Sequence, residues 1–479
     1  MKLKKIIAIL FLMILCITLR AQSAYHRLDS LFNNINQDGE LSGAVLVMDS
    51  SKVVYERYFG YEDSQKKRKI HQPTRFELAS VSKQFTAMAI MQLEHQGKLS
   101  FKDDIQKYFP RLKFKNVTID HLLRHSSGIS DFIRWDQSWF DRSKINTNDD
   151  VLSILENKLD STEFDAGNQF SYSNTNYVLL ALIVERVSNM SFKAYMQKFI
   201  FGPSRMKNTS VFSSRSPGAD LQNYAQGLGY DYQTDKYISI DQLSSNSSQF
   251  TTYMDGISGP YGISSTAQDL LKWHKALNNE TVLPKQQFQQ ALLVGYLNDG
   301  KPNFSDMGGY VGYGWMFIDS TDANKMHYHT GNWPGYQSIL VREPKSERFV
   351  AVLVNKWNFI GVLPLMTAIN AILNNRAVPV VAPQDIEHKI SLMEYQVREI
   401  TGQYSYTDSP ELLYTITADQ EGRIFAQLGD QPAVEVMPKS DIELFYTVID
   451  ARLKFERKES KIYKLTLFQN GQELEFLKK

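Results

Sequence analysis

The stretch Phe85–Leu93 is almost continuously apolar, and Gly97 stops it. A helix that is apolar all round belongs inside a protein, with other elements packed on every side. The 479 residues of the chain allow two or three domains and a core large enough to do this. Ser80 and Lys83 stand where this run begins, at the mouth of the buried helix.

The pattern on either side says what surrounds it. Tyr25 to Asn36 reads as a short amphipathic helix. Gly43 to Met48 and Val53 to Tyr58 are β-rich runs joined by Asp49-Ser50-Ser51, a hairpin signal. From Phe101 to Glu280 the pattern is mainly helical with long polar loops. It includes an apolar helical run from Tyr177 to Val187 and another from Ala267 to Leu277, the latter opened by Ser265-Thr266. Strands return at Tyr313–Ile318, Met326–His329, Ser338–Val341 and Arg348–Val354, and Leu363–Leu373 reads as a helix. Strands at both ends with helices between predict an α/β (α+β) fold: an antiparallel sheet built from both ends of the segment and flanked by helices. Pro379 and Pro383 stiffen a connector over 377–389. Beyond residue 390 short alternating strands recur at Leu413–Thr417, Ile424–Leu428, Leu444–Val448, Arg452–Glu456 and Lys464–Phe468. Turn residues such as Asn470-Gly471 lie between them. That pattern predicts a small all-β domain over 390–479, an antiparallel barrel or sandwich.

Composition is that of a soluble globular protein, 43% hydrophobic and 22% charged, and 12% aromatic residues suit sheets and a lined cleft. The first 21 residues read as a secretory signal. Lys2, Lys4 and Lys5 precede an apolar stretch from Ile6 to Leu19, which is too short for a comfortable membrane span. Cleavage after Ala21 leaves a mature chain that is periplasmic or extracellular, with 22–376 as its first domain. It also removes the single cysteine, Cys16, and with it disulfides, thiolate metal sites and a cysteine nucleophile. A retained N-terminal anchor, or a lipid on Cys16, is the rival reading. The basic count falls from 53 to 49 against 52 acids, a net charge of −3, with no basic block beyond Lys66–Lys69. Nucleic acid is therefore not an expected partner, no second apolar segment reaches spanning length, and no oligomeric state is dictated.

Residues three apart share a helix face. A serine hydroxyl becomes a good nucleophile only when a neighbouring base takes its proton, and Lys83 is placed to help Ser80. The helix start adds unpaired N–H groups that favour developing negative charge. Ser64–Lys67 and Ser204–Lys207 share the spacing, but both lie in turn-rich surroundings, where a serine cap with a surface lysine explains them. Tyr172-Ser173-Asn174 precedes the Tyr177 helix. On an extended segment Tyr172 and Asn174 face the same way. A tyrosine relays protons if nearby positive charge lowers its pKa, and an asparagine amide orients a carbonyl. The plain alternative is a turn with an asparagine cap, and Tyr296-Leu297-Asn298 shows the spacing recurs by chance. His329-Thr330-Gly331 ends a strand, and Gly331 is expected to leave room for a substrate along the strand edge. A sheet histidine bonded to its neighbours is the plain alternative for His329. Metal binding by His327 and His329 lacks further ligands nearby, so neither metal nor cofactor is expected.

In this order, Ser80–Lys83, Tyr172–Asn174 and His329–Gly331 resemble the Ser-x-x-Lys, Tyr-x-Asn and Lys/His-x-Gly motifs of the serine β-lactamase and penicillin-binding-protein superfamily. The class C branch, with its D,D-peptidases, D-aminopeptidases and esterases, is the most similar. His121–Gly128, Tyr261–Leu270 and Tyr313-Gly314-Trp315 are also similar to it, and the resemblance covers roughly residues 25 to 375. It implies an α/β domain and an all-helical domain with the site between them, and Ser80 as nucleophile of an acyl-enzyme, with Lys83 and Tyr172 sharing the proton transfers. Asn174 would hold the substrate amide, and His329, Thr330 and Gly331 would line the opposite strand. The backbone N–H groups of Ser80 and Asn332 would form the oxyanion hole. The substrate would be a small molecule or peptide carrying an amide or ester: a D-amino-acid peptide, a β-lactam or a small ester. Many β-lactamases carry lysine where this chain has His329, and a histidine is largely neutral near pH 7, which weakens a dedicated β-lactamase reading. Two other readings remain open: a non-catalytic or acylation-only envelope ligand binder or sensor on the same fold, and a barrel that is itself the functional part, binding a partner or lipid.

Overall fold

The computed structural model describes residues 24–36, 41–232, 234, 236–243, 246–305, 308–318, 326–356, 362–381, 389–429, 431, 433–446, 451–469 and 472–479. The leader with Cys16, most of the 377–389 connector and the Asn470-Gly471 turn lie outside them. Two compact units result. The described residues of Met1–Asp231 and Asp235–Gln384 form one, and those of Tyr232–Thr234 and Asp385–Lys479 the other.

In the first unit an eight-stranded antiparallel sheet runs in the order Lys52–Phe59, Gly43–Asp49, Arg348–Val354, Tyr336–Glu343, His327–Trp333, Met316–Phe317, Gly309–Val311, Phe304–Ser305. Gly43–Asp49 pairs with Arg348–Val354, so the two ends of the segment do meet within the sheet, with Val45 opposite Val352. The first hairpin turns through Ser50 and Ser51, both at positive φ, as a tight two-residue turn requires.

Alternation along the central strands feeds two cores. Ala44, Leu46 and Met48 face one cluster, with the helices Lys83–His95, Asn174–Ser188 and Ala267–Asn278. Val45 and Val47 face the other, where Leu28, Phe32, Leu365 and Ile369 come from the helices over 24–35 and Val362–Leu373. Both faces are covered, which is why these strands read as unbroken apolar runs.

The apolar helix occupies Lys83–His95 and is buried from Lys83 to Leu93. Phe85 packs on Trp273 with ring centres 4.7 Å apart, and the Trp273 indole N–H donates to Gln84 Oε1 at 2.7 Å. The helices lie in the same compact unit as the sheet. The region read as helix and loop also holds a hairpin, Leu228–Asp231 with Lys236–Ser239, and the sheet gains the very short strands Phe304–Ser305 and Gly309–Val311. Strands of two or three residues are too short to show a period.

In the second unit eight antiparallel strands from Gly402–Tyr406 to Gln472–Lys478 close into a barrel, preceded by the helix Glu394–Ile400. Along Ala451–Lys458 buried Ala451, Leu453 and Phe455 alternate with solvated Arg452 and Lys454, the mark of a one-sided strand.

Candidate active site

Ser80 sits in a single 3-10 turn, Ala79–Ser82, which feeds directly into the helix beginning at Lys83. Ala79, the residue before it, has φ +47°, in the left-handed region that a residue with a side chain rarely adopts. Such local strain persists only where the surroundings enforce it. Here the enforcement comes from the strand His327–Trp333. A Cβ on Gly331 would lie 2.2 Å from the Leu78 carbonyl oxygen and 3.0 Å from the Ala79 Cβ. Beside it, Ser338 Oγ donates to that same Leu78 carbonyl at 2.6 Å. The missing side chain of Gly331 thus lets the serine turn press against the strand. The room expected there for a substrate is taken on that side by the protein itself.

The Lys83 side chain is fully buried. Its Nζ lies 3.0 Å from Ser80 Oγ and donates to Asn174 Oδ1 at 2.8 Å and to the Pro260 carbonyl at 3.0 Å. Burial pulls its pKa from 10.5 down to about 7, opposed by the negative charge of Asp131. Pro260 follows Gly259, whose φ of +108° and closeness to the Tyr177 carbonyl exclude any side chain there. Asn174 begins the helix Asn174–Ser188, and extended Ser173 before it (φ −138°, ψ 120°) sends Tyr172 and Asn174 toward the same amine. The Asn174 Nδ2 donates to Asp131 Oδ2 at 2.9 Å.

The Tyr172 ring lies 4.8 Å from Lys83 Nζ and stacks on His125, centre to centre 4.3 Å. Burial pushes its phenol up, while hydrogen bonding with Ser80 pulls the other way. The condition for a relay through a tyrosine acidified by positive charge is therefore not met. Desolvation dominates, so Tyr172 is a phenol with a proton to give. His125, itself at φ +56°, accepts from the Ser173 N–H through Nδ1 and is held neutral by burial and by Lys83.

His329 is buried, and its pKa is pushed down to about 3 by desolvation and then by Lys83. Its Nδ1 stands 2.6 Å from the Thr330 carbonyl, an oxygen that can only accept, so Nδ1 carries the proton of a neutral ring. Thr330 is partly exposed and Asn332 exposed. The neighbouring strand Met316–Phe317 reaches only Tyr328 and His327, so the edge beyond them is left to other partners. As second residue of its turn, Ser80 has its N–H among the groups without an intrahelical acceptor. Past the strand end, Tyr261 and Trp333 pack 4.4 Å apart over a small recess lined by Glu77, Ala79, Phe212 and Asp255.

The rival motifs stay apart from this constellation. Ser204 is buried at a helix end, with Oγ lacking any partner, and Tyr296 is 69% exposed. His327 lies beside the Arg342 guanidinium at 3.3 Å, a poor neighbour for a cation. Among the described residues no group of three or more His, Cys, Asp or Glu could hold a metal. Sequence reasoning missed Asp131, His125 and the Pro260 carbonyl. Asp131 follows the Ser127-Gly128 stretch but carries no spacing of its own to mark it, and a backbone oxygen leaves no trace in a residue pattern.

An amine in place of an imidazole faces the nucleophile-like hydroxyl, and one large class of serine hydrolases works in this way; the fold and enzyme class are those of that group. The chain belongs to the Beta-lactamase family, whose sequence profile matches residues 28–370. A penicillin-binding protein of Bacillus subtilis is 29% identical over 455 residues, 95% of this chain and 98% of the relative. The solved penicillin-binding protein from Bacillus halodurans covers 71% of this chain and 98% of its own at 26% identity, with a TM-score of 0.59. An octameric penicillin-binding protein homologue from Pyrococcus abyssi shares the fold over 94% of this chain and 99% of its own, at 20% identity and a TM-score of 0.61. No helix among the described residues is long and apolar enough to cross a membrane.

Proposed function

We propose that this serine hydrolase is exported and cleaves an amide or ester through an acyl-enzyme on Ser80. The observation that carries the reading is the setting of the Lys83 amine, which has a pKa of about 7 and three polar neighbours. Two of them, Asn174 Oδ1 and the Pro260 carbonyl, can only accept. A neutral amine has two hydrogens and one lone pair. The two hydrogens go to those oxygens, and the lone pair is left for the Ser80 hydroxyl proton. Lys83 takes that proton as Oγ bonds to the substrate carbonyl carbon. The resulting oxyanion is received by the N–H groups of Ser80 and Asn332, donors worth about 10²–10³ in rate each. Tyr172, a neutral phenol, gives its proton to the leaving group and regains one from the Lys83 ammonium. Water then adds to the ester carbonyl with the transfers reversed, and Ser80 is freed.

His329, neutral and buried, supplies no positive charge for a substrate carboxylate. That supports D-amino-acid amides, peptides and small esters at least as strongly as β-lactams, although the Bacillus subtilis relative is named for penicillin binding. We assign the activity to 22–376, with 377–389 as connector and 390–479 as an accessory barrel. The leader supports a periplasmic or extracellular site of action. Mass spectrometry after exposure to a fluorophosphonate or penicillin is expected to find the adduct on Ser80, and a panel of p-nitrophenyl esters, nitrocefin and D-alanyl peptides to show turnover. An inhibited enzyme with Ser80 unmodified overturns the assignment, and labelling without turnover of any of these substrates makes the protein a binder.

A further inference from the structure

Asp131 is buried, is not part of any motif, and touches neither Ser80 nor Lys83 by hydrogen bond. Its Oδ1 accepts from the Ile133 N–H at 3.2 Å and its Oδ2 from Asn174 Nδ2 at 2.9 Å. Asn174 in turn accepts from Lys83 through Oδ1 at 2.8 Å. An asparagine amide has one accepting and one donating end. A carboxylate can only accept, so Asp131 dictates which end of Asn174 faces the lysine. If the amide were reversed, its NH₂ would face Lys83 and claim the amine's lone pair.

We propose that Asp131 is a positioning residue: by locking the Asn174 amide it aims the Lys83 lone pair at Ser80, and its charge sets how readily that amine is protonated. The proposal rests on the acyl-enzyme reading given above. The charged and titratable groups facing Lys83 are few. The Tyr172 and Tyr177 rings lie 4.8 and 5.6 Å from Nζ, and burial keeps both as phenols. His125 and His329 are held neutral by burial and by Lys83 itself. Among the described residues Asp131 is the one negative charge acting on the amine, and it favours the ammonium form. Around Asp131 itself stand Asn174, the Ile133 N–H, Lys83 and the Tyr172 and Tyr261 hydroxyl-bearing rings, with burial pushing its carboxyl up.

The sign follows. Without the Asp131 charge the ammonium is less favoured, so the free amine persists to lower pH. Without the locked amide, fewer amines point at Ser80. In Asp131→Asn, the rate of fluorophosphonate labelling of Ser80 is expected to fall about 10- to 100-fold at its optimum. The midpoint of its acid limb, near pH 7 in the unaltered protein, is expected to move to lower pH. A merely structural role would reduce the amount of active protein and leave the midpoint in place. Asp131→Ser keeps an acceptor for the Ile133 N–H without the charge. It is the second variant should the first fail to fold, as judged by far-UV circular dichroism, and the same downward move is expected. An unmoved midpoint in a folded variant overturns the proposal, as does a wild-type rate. Absence of labelling in the unaltered protein would instead count against the acyl-enzyme reading itself.

Discussion

The two units treat buried polarity in opposite ways. In the barrel, Thr466 is the one buried polar residue among those described. The core tyrosines place their hydroxyls on partners: Tyr404 on the Ile400 carbonyl at 2.7 Å and Tyr414 on Tyr446. The hydrolase unit sinks Lys83, Asp131, Asn174, His125 and His329 within reach of one another. Burying a charge is unfavourable unless partners meet it. The barrel avoids that cost, while the hydrolase unit bears it around a single hydroxyl. A core that only has to be stable looks like the first; a core that also has to move protons looks like the second.

This contrast can be broken by experiment. The largest effect is expected from Ser80→Ala: hydrolysis and covalent labelling fall by on the order of 10⁴-fold or more, while circular dichroism and the melting profile stay as they were. Loss of the fold together with activity would mean that Ser80 is part of the packing. In the barrel, Phe455→Ala empties a fully buried site and is expected to cost about 3–5 kcal/mol of that unit's stability in a urea titration, with Ser80 labelling within twofold of wild type. A collapse of labelling would show that the units are coupled.

Third, the rate of Ser80 labelling should fall on the acid side about pH 7, because the Lys83 pKa is lowered by burial and the amine is lost as an acceptor once protonated. Two pH units below, about one amine in a hundred is free, a drop of roughly 100-fold. A limb centred above pH 9 would mean that the lysine is solvated. The smallest effect is Gly331→Ala, which forces a methyl against the Leu78 carbonyl. Overpacking of this kind costs about 1–3 kcal/mol, measured as a shift of the hydrolase unit's transition, and labelling should slow with it.

Much of the site was legible because its parts are local. Ser80 with Lys83 and Tyr172 with Asn174 each lie within one turn or one extended step, so spacing alone puts them together. The strands Arg348–Val354 and Ala451–Lys458 were legible because an apolar run or a two-residue alternation records which faces are covered. What was not legible is what depends on distant contacts. Asp131 meets Asn174 across 43 positions of chain, and no pattern at either end announces the partner. The direction of the Tyr172 shift was not legible because burial, which decides it, is a property of the folded whole. Gly331 was noticed for the right reason, the need for space, but the space serves the serine turn.

The barrel closes by pairing its first strand with its last, Tyr404 opposite Lys478 and Tyr406 opposite Phe476. A ring has no outermost strand. Each of its described strands has a neighbour on both sides, so none among them is an edge strand for another chain to extend. The ring's own beginning and end also lie side by side. A module of that form can be spliced onto a host, lost from it or rejoined at new ends without opening its circuit of hydrogen bonds.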